Sequence, residues 1–256
     1  MLLEIKNLAK NFGGVAAVKD VSLMVDKDQI VSIIGPNGAG KTTLFNLVSG
    51  VYRANAGEIL FEGKNLVGRP QHEIARRGIA RTFQNIRLFQ GLTVLENVMT
   101  ALDSISRYNI LSAMMTLPSK RKTDRENRER ALEALELVQL LEYRDEQPSN
   151  LPYGLQRRVE LARAIVTAPK LLMLDEPAAG LNPSEVREFI ERVARLKEKF
   201  HFGILIIEHR MQVVNELSER IYVVNFGNLL ACGTPAEIQQ NPEVIKAYIG
   251  EEESKC

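Results

Sequence analysis

Short apolar runs of strand length alternate with segments whose apolar positions recur every three or four residues. Residues 2–5 begin a strand, and residues 21–25 alternate apolar with polar positions. Residues 30–34 form a continuous apolar run, as a strand buried on both faces requires. Residues 57–61 read as another strand, closed by the turn residues Glu62-Gly63-Lys64-Asn65. The runs 171–174 and 204–207 return to buried-strand character. Helix starts are marked by their caps: Thr93 with Glu96, Asn182 with Pro183 and Glu185, Thr234 with Pro235 and Glu237, and Asn241 with Pro242. Val186, Phe189, Ile190, Val193 and Leu196 mark one helical face, and Ala131, Leu135, Val138 and Leu141 another. Strands and helices thus alternate around a helix-rich middle, which predicts an α/β core with a helical insertion. We read residues 1–256 as a single domain, with its core at 1–92 and 166–256 and the helical part at about 93–165.

Composition narrows the function classes. Of 256 residues, 45% are apolar and 25% charged, as in ordinary soluble chains, and 33 basic against 32 acidic residues leave a net charge of +1. That balance removes the electrostatic case for a nucleic-acid partner, and none is expected. The apolar runs are too short to cross a bilayer, and the first residues lack the basic-then-apolar pattern of an export signal. Cys232 and Cys256 offer neither a disulfide framework nor a zinc cluster. The charge-dense stretch 119–130 reads as a solvated helix face or loop rather than a binding patch.

One motif carries specific chemistry. Gly35-Pro36-Asn37-Gly38-Ala39-Gly40-Lys41-Thr42 follows an apolar strand and precedes a helical pattern beginning at Thr43. Its glycines let the backbone curl so that successive N–H groups face phosphate oxygens, and the helix N-terminus adds partial positive charge. Lys41 is placed for the β- and γ-phosphates and the Thr42 hydroxyl for magnesium. The run 171–174 ends in Asp175-Glu176, two carboxylates at the edge of a parallel sheet where ligands bind. Asp175 suits magnesium, and Glu176 is placed to polarise an attacking water.

With these residues in hand, the sequence resembles the ATP-binding cassette (ABC) ATPases over nearly its whole length. The resemblance implies a P-loop NTPase core with a mixed sheet, an antiparallel β subdomain and a helical insertion. It implies ATP and Mg2+ as cofactors, with Phe12 stacking on adenine and Gln84, in Arg81-Thr82-Phe83-Gln84, sensing metal and attacking water. His209 resembles the histidine that addresses the γ-phosphate, and Gly154 the glycine that addresses ATP held by a second ATPase subunit. The family signature Leu-Ser-Gly-Gly-Gln stands here as Leu151-Pro152-Tyr153-Gly154-Leu155, and Asn182 replaces a usual Asp. Pro152 has neither hydroxyl nor N–H, so the chain's own ATP machinery reads as complete while its contribution to a partner's site reads as weakened. A backbone contribution around Gly154 that suffices for both sites is the alternative.

The segments 81–89, 177–183, 206–209 and 241–250 look like those of ATPase subunits of branched-chain amino-acid importers. Urea, amide and lipopolysaccharide-export ATPases share much of this pattern. The resemblance implies a peripheral subunit on the cytoplasmic face of the inner membrane, working with integral-membrane permeases and, through them, an external binding protein. The second ATPase subunit would be identical or different. Phe83, Ile86, Leu88 and Phe89 would either receive a permease helix or fill the subunit's own core. A soluble ABC ATPase of translation or repair is the rival reading, disfavoured by the absence of a second cassette or a long coiled coil. Glu176 and His209 together disfavour a non-hydrolysing regulator.

Overall fold

The computed structural model of the protein describes residues 1–105 and 118–253. In chain order the elements are β1 (Leu3–Phe12), β2 (Val15–Val25), β3 (Ile30–Ile34), α1 (Lys41–Val48), β4 (Ala56–Phe61), β5 (Lys64–Asn65), α2 (Gln71–Arg76), β6 (Ile79–Arg81), α3 (Val94–Ile105), α4 (Pro118–Leu137), α5 (Tyr153–Ile165), β7 (Leu171–Asp175), α6 (Pro183–Phe200), β8 (Gly203–Ile207), α7 (Met211–Leu217), β9 (Arg220–Asn225), β10 (Asn228–Gly233), α8 (Pro235–Gln239) and α9 (Pro242–Glu253). They divide into two compact units, Met1–Arg81 with Lys170–Cys256, and Thr82–Pro169. Cys256 lies outside the described residues.

The first unit holds two sheets. One is antiparallel, in the order β2-β1-β4-β5. The other is mixed, in the order β10-β9-β3-β8-β7-β6, parallel throughout except for β10. β3, β7 and β8 are buried at every position, which explains why they read as unbroken apolar runs rather than alternating ones. Val31 and Ile33 face one core with α1 and the antiparallel sheet, where Phe45 and Phe61 are enclosed. Ile34 faces a second cluster with Val214, Val223, Ile238 and Val244. This alternation is the period of two that a strand imposes on its faces.

Elements with polar outer faces escaped the sequence pattern. β1 and β2 run on to a two-residue turn at Gly13 and Gly14, with Gly13 at φ 55, and this long hairpin carries Phe12 at its tip. α2, β6, α7, β9 and β10 are further additions to that pattern, β9 among them although its four central residues are buried.

In the second unit, α3 starts with the expected reciprocal cap: Glu96 accepts from the Thr93 amide at 2.8 Å, and Thr93 Oγ1 accepts from the Glu96 amide at 3.2 Å. Ala131, Leu135 and Val138 are fully buried, but Leu141 is not a member of their face. α4 stops at Leu137, Gln139 turns to φ 59, and the Leu140 amide donates back to the Leu135 carbonyl at 2.8 Å. That reversal buries Leu140 and leaves Leu141 in an exposed 3₁₀ turn.

The cap of α6 supplies a direct stability test. Asn182 Oδ1 accepts from the Ser184 and Glu185 amides at 3.0 Å each, and Glu185 accepts from the Asn182 amide at 2.8 Å. Asn182→Ala is expected to lower unfolding free energy by about 1 kcal/mol in a urea titration. An unchanged midpoint would show that the cap contributes nothing.

Candidate functional site

Strand register gathers the chemistry at one edge of the mixed sheet. Ile33 pairs with Ile207, and Ile207 pairs in turn with Asp175. The strands are parallel, so the segments leaving β3, β7 and β8 emerge together at their carboxyl ends. Those segments are the 35–42 loop, Glu176 and Glu208-His209. Residues remote in sequence are thereby brought to one rim, the place where parallel sheets bind ligands.

The 35–42 loop is held close to the neighbouring backbone. A Cβ on Gly35 would stand 2.0 Å from the Val224 carbonyl oxygen, and one on Gly40 would stand 2.4 Å from that of Ala17. Gly38 is different: at φ 78, a Cβ there would meet nothing within 4 Å. The loop is thus pinned at both ends and open in the middle, a form whose backbone N–H groups suit an anion. Lys41, nearly buried, donates from Nζ to the carbonyls of Gly35 at 2.6 Å and Pro36 at 2.8 Å, so its ammonium lies across the loop. Pro36 and Ala39 are buried, Asn37 and Thr42 exposed and Thr43 half-buried.

Across the rim, Asp175 is buried and its Oδ2 accepts from Arg81 Nη2 at 2.8 Å. Glu176 sits in the left-handed region at φ 46 and donates its amide to the Ile207 carbonyl at 2.9 Å. A non-glycine residue held in this region is costly, and the bond to β8 helps to hold it there. His209 Nδ1 stands 3.9 Å from Glu176 Oε2 and is solvent-accessible. Glu208, fully buried, accepts three backbone bonds: from Ala178 at 2.9 Å, His209 at 2.8 Å and Arg210 at 2.9 Å. Its carboxylate therefore fixes the segment after β7 to the segment that carries His209. At the hairpin tip, Phe12 is exposed and meets Tyr52 edge-on, with ring centroids 5.0 Å apart. The Lys10 ammonium lies over a face of this ring, 5.1 Å from its centroid, and an exposed aromatic ring is a surface on which a base can stack.

Gln84 and Gly154 belong to the second unit and are described within it. Arg157, on α5, donates Nη1 to the Phe83 carbonyl at 2.9 Å and Nη2 to the Gln84 carbonyl. Its remaining donors meet the Tyr153 hydroxyl at 2.8 and 3.1 Å and Glu160 at 3.2 Å. Glu160 also accepts from the Arg87 amide at 3.0 Å. Burial pushes the Glu160 carboxyl above the usual carboxylate range, against the pull of the Arg87 amide and Arg157. One stripe of α5 thus grips the backbone of 83–87, leaving the Gln84 side chain exposed. Of the nearby apolar residues, Leu88 turns inward, Phe83 and Ile86 are half-buried and Phe89 is exposed. Pro152 caps α5 without a side-chain hydrogen bond, so Tyr153 and Gly154 begin a helix whose first amides have no side-chain cap.

The donor set suits a hard cation carried with a phosphate tail: one carboxylate at Asp175 and one hydroxyl at Thr42. Among the described residues no group of three or more His, Cys, Asp or Glu could hold a metal alone, so any metal here needs ligands from phosphate and water. Arg81, Glu208 and Arg157 were missed as positioning residues in the sequence. The only signal was their adjacency to Gln84, His209 and Gly154.

Comparisons with known proteins bear on the chain as a whole. The family model described as ABC transporter matches residues 18–179, and one described as branched-chain amino acid ATP-binding cassette transporter matches residues 228–254. The high-affinity branched-chain amino acid transport ATP-binding protein LivG of Escherichia coli K12 is 49% identical over 250 residues, covering 98% of each chain. The corresponding protein BraF of Pseudomonas aeruginosa is 46% identical over the same length and coverage. A crystal structure of the ADP conformation of an ATP-binding cassette of an ABC transporter aligns with TM-score 0.83 and 32% identity, covering 97% of this chain and 98% of that one. With its loop, carboxylate pair and histidine on one sheet edge, and with relatives at such identity over nearly its full length, the chain belongs to the ABC transporter family as an ATP-hydrolysing nucleotide-binding subunit.

Proposed function

We propose that this subunit powers the import of branched-chain amino acids, working with magnesium and ATP on the cytoplasmic face of the inner membrane. The observation that carries the ATPase part is the convergence of the 35–42 loop, Asp175-Glu176 and His209 at one sheet rim. The substrate class is supported by what LivG and BraF are named for, and by the family model that matches residues 228–254. The whole chain acts as one nucleotide-binding domain, with the helical subdomain at about 93–165.

The amides of residues 38–42 and Lys41 hold the phosphate tail, and Phe12 stacks on adenine. Thr42, Asp175 and Gln84 are the residues that would hold the magnesium accompanying ATP, whose charge would screen that of the phosphate tail. Glu176 accepts a proton from the attacking water as its oxygen bonds to the γ-phosphorus and the bond to the ADP oxygen breaks. His209 donates to the γ-phosphate, so charge that builds there meets a fixed donor.

A second ATPase subunit completes each site, and Tyr153 and Gly154 present helix N-terminal amides to its ATP. Pro152 removes the hydroxyl that would assist them, so in a heterodimer the site fed by this signature turns over more slowly. Integral-membrane permeases receive the motion near Gln84 and Phe89, with an external binding protein acting through them. No helix among the described residues is long and apolar enough to cross a membrane, which suits a subunit held there by permeases.

Two experiments test this. Glu176→Gln is expected to lower ATP hydrolysis at least about 100-fold while ATP retention persists; unchanged hydrolysis would remove Glu176 from the chemistry. In membranes holding its permeases, the chain should sediment with the membrane and support ATP-dependent uptake of radiolabelled leucine. Membrane binding without leucine uptake, but with uptake of another solute, would overturn the substrate class.

A further inference from the structure

The ion pair that occupies Asp175 has a consequence for metal binding. Arg81 ends β6, and its side chain is almost wholly buried. Its Nη1 donates to Asn46 Oδ1 at 2.8 Å and Ser49 Oγ at 2.7 Å, and its guanidinium lies over the Phe45 ring at 5.5 Å. Those three partners all come from α1 and its C-terminal cap, and α1 is the helix that starts at Lys41 and Thr42. The guanidinium is therefore held in place independently of Asp175. Its other amino group, Nη2, then meets Asp175 Oδ2 at 2.8 Å.

We propose that Arg81 is the resident counter-cation of the magnesium carboxylate, and that its charge sets how much magnesium the site requires. The inference rests on the reading of Asp175 given above. A buried carboxylate needs a partner whether or not a metal is present, and Arg81 supplies one. By taking Oδ2 it also orients the group. A fixed positive charge this close repels a dication in a poorly screened place, so the pair holds magnesium affinity down. Magnesium then binds well only when the phosphate tail adds its own negative charge. Arg81 thus acts as a positioning residue that links metal occupancy to nucleotide occupancy.

The test uses the full chain, a fluorescent non-hydrolysable ATP analogue and a magnesium titration, with retention in chelator as the metal-free reference. For Arg81→Met the magnesium concentration at half-maximal retention should fall about tenfold, because the competing charge is gone. Retention in chelator should stay within about twofold of the parent. Arg81→Lys keeps the charge and should stay within about twofold of the parent throughout. If Arg81→Met fails to give folded protein by circular dichroism, Arg81→Gln, neutral but able to donate to Asp175, replaces it with the same expected fall. An unchanged or raised magnesium requirement in the neutral variant overturns the proposal, as does an Arg81→Lys variant that behaves like it. Asp175→Asn separates this failure from that of the functional reading. It should raise the magnesium requirement, and if it leaves it unchanged, Asp175 is not the metal's carboxylate, whatever Arg81 does.

Discussion

The arrangement rests on the parallel pairing of β3 with β8 and of β8 with β7. Three strands buried on both faces cannot slip in register without moving apolar side chains out of two cores at once. Their register therefore decides where their carboxyl ends fall, and it sets the 35–42 loop, Asp175-Glu176 and Glu208-His209 on one rim. None of those groups is placed by its own local sequence. A methylene lost from Ile33 or Leu205 would be felt at the rim through packing alone, since both are completely enclosed.

Around that rim, polar contacts fix what the strands deliver. Glu208 binds two segments through three amides, and Glu176 is held in an unfavourable backbone region by β8. Such preorganisation means that the groups do not have to be gathered at the moment of reaction, which is how a hydrolytic site spends little on reorganisation. In the helical unit, α5 does the same for the Gln84 segment through Arg157 and Glu160.

Much of this was legible in the sequence, for stated reasons. β3, β7 and β8 were visible because burial on both faces forces unbroken apolar runs. The caps at Thr93, Asn182 and Thr234 were visible because each is a local bond between residues three apart. The 35–42 loop was visible because its glycines are required by close approach to Val224 and Ala17. The full lengths of β1 and β2 were not, since their outer face is polar and one hydrophobic period was too weak to read. Leu141 was misplaced because a single left-handed residue, Gln139, shifts which side chain turns inward. The partnership of Arg81 with Asp175 was hidden altogether: it spans 94 positions and follows from β6 lying beside β7.

A crystal structure of the chain with magnesium and a non-hydrolysable ATP analogue tests whether this sheet rim is where the nucleotide sits. The phosphate tail is expected within hydrogen-bonding distance of the amides of residues 38–42, with Lys41 moved onto it and the Asp175 and Glu176 carboxylates facing its terminal phosphate. A nucleotide seated elsewhere, or phosphates turned away from the ends of β3 and β7, would contradict it.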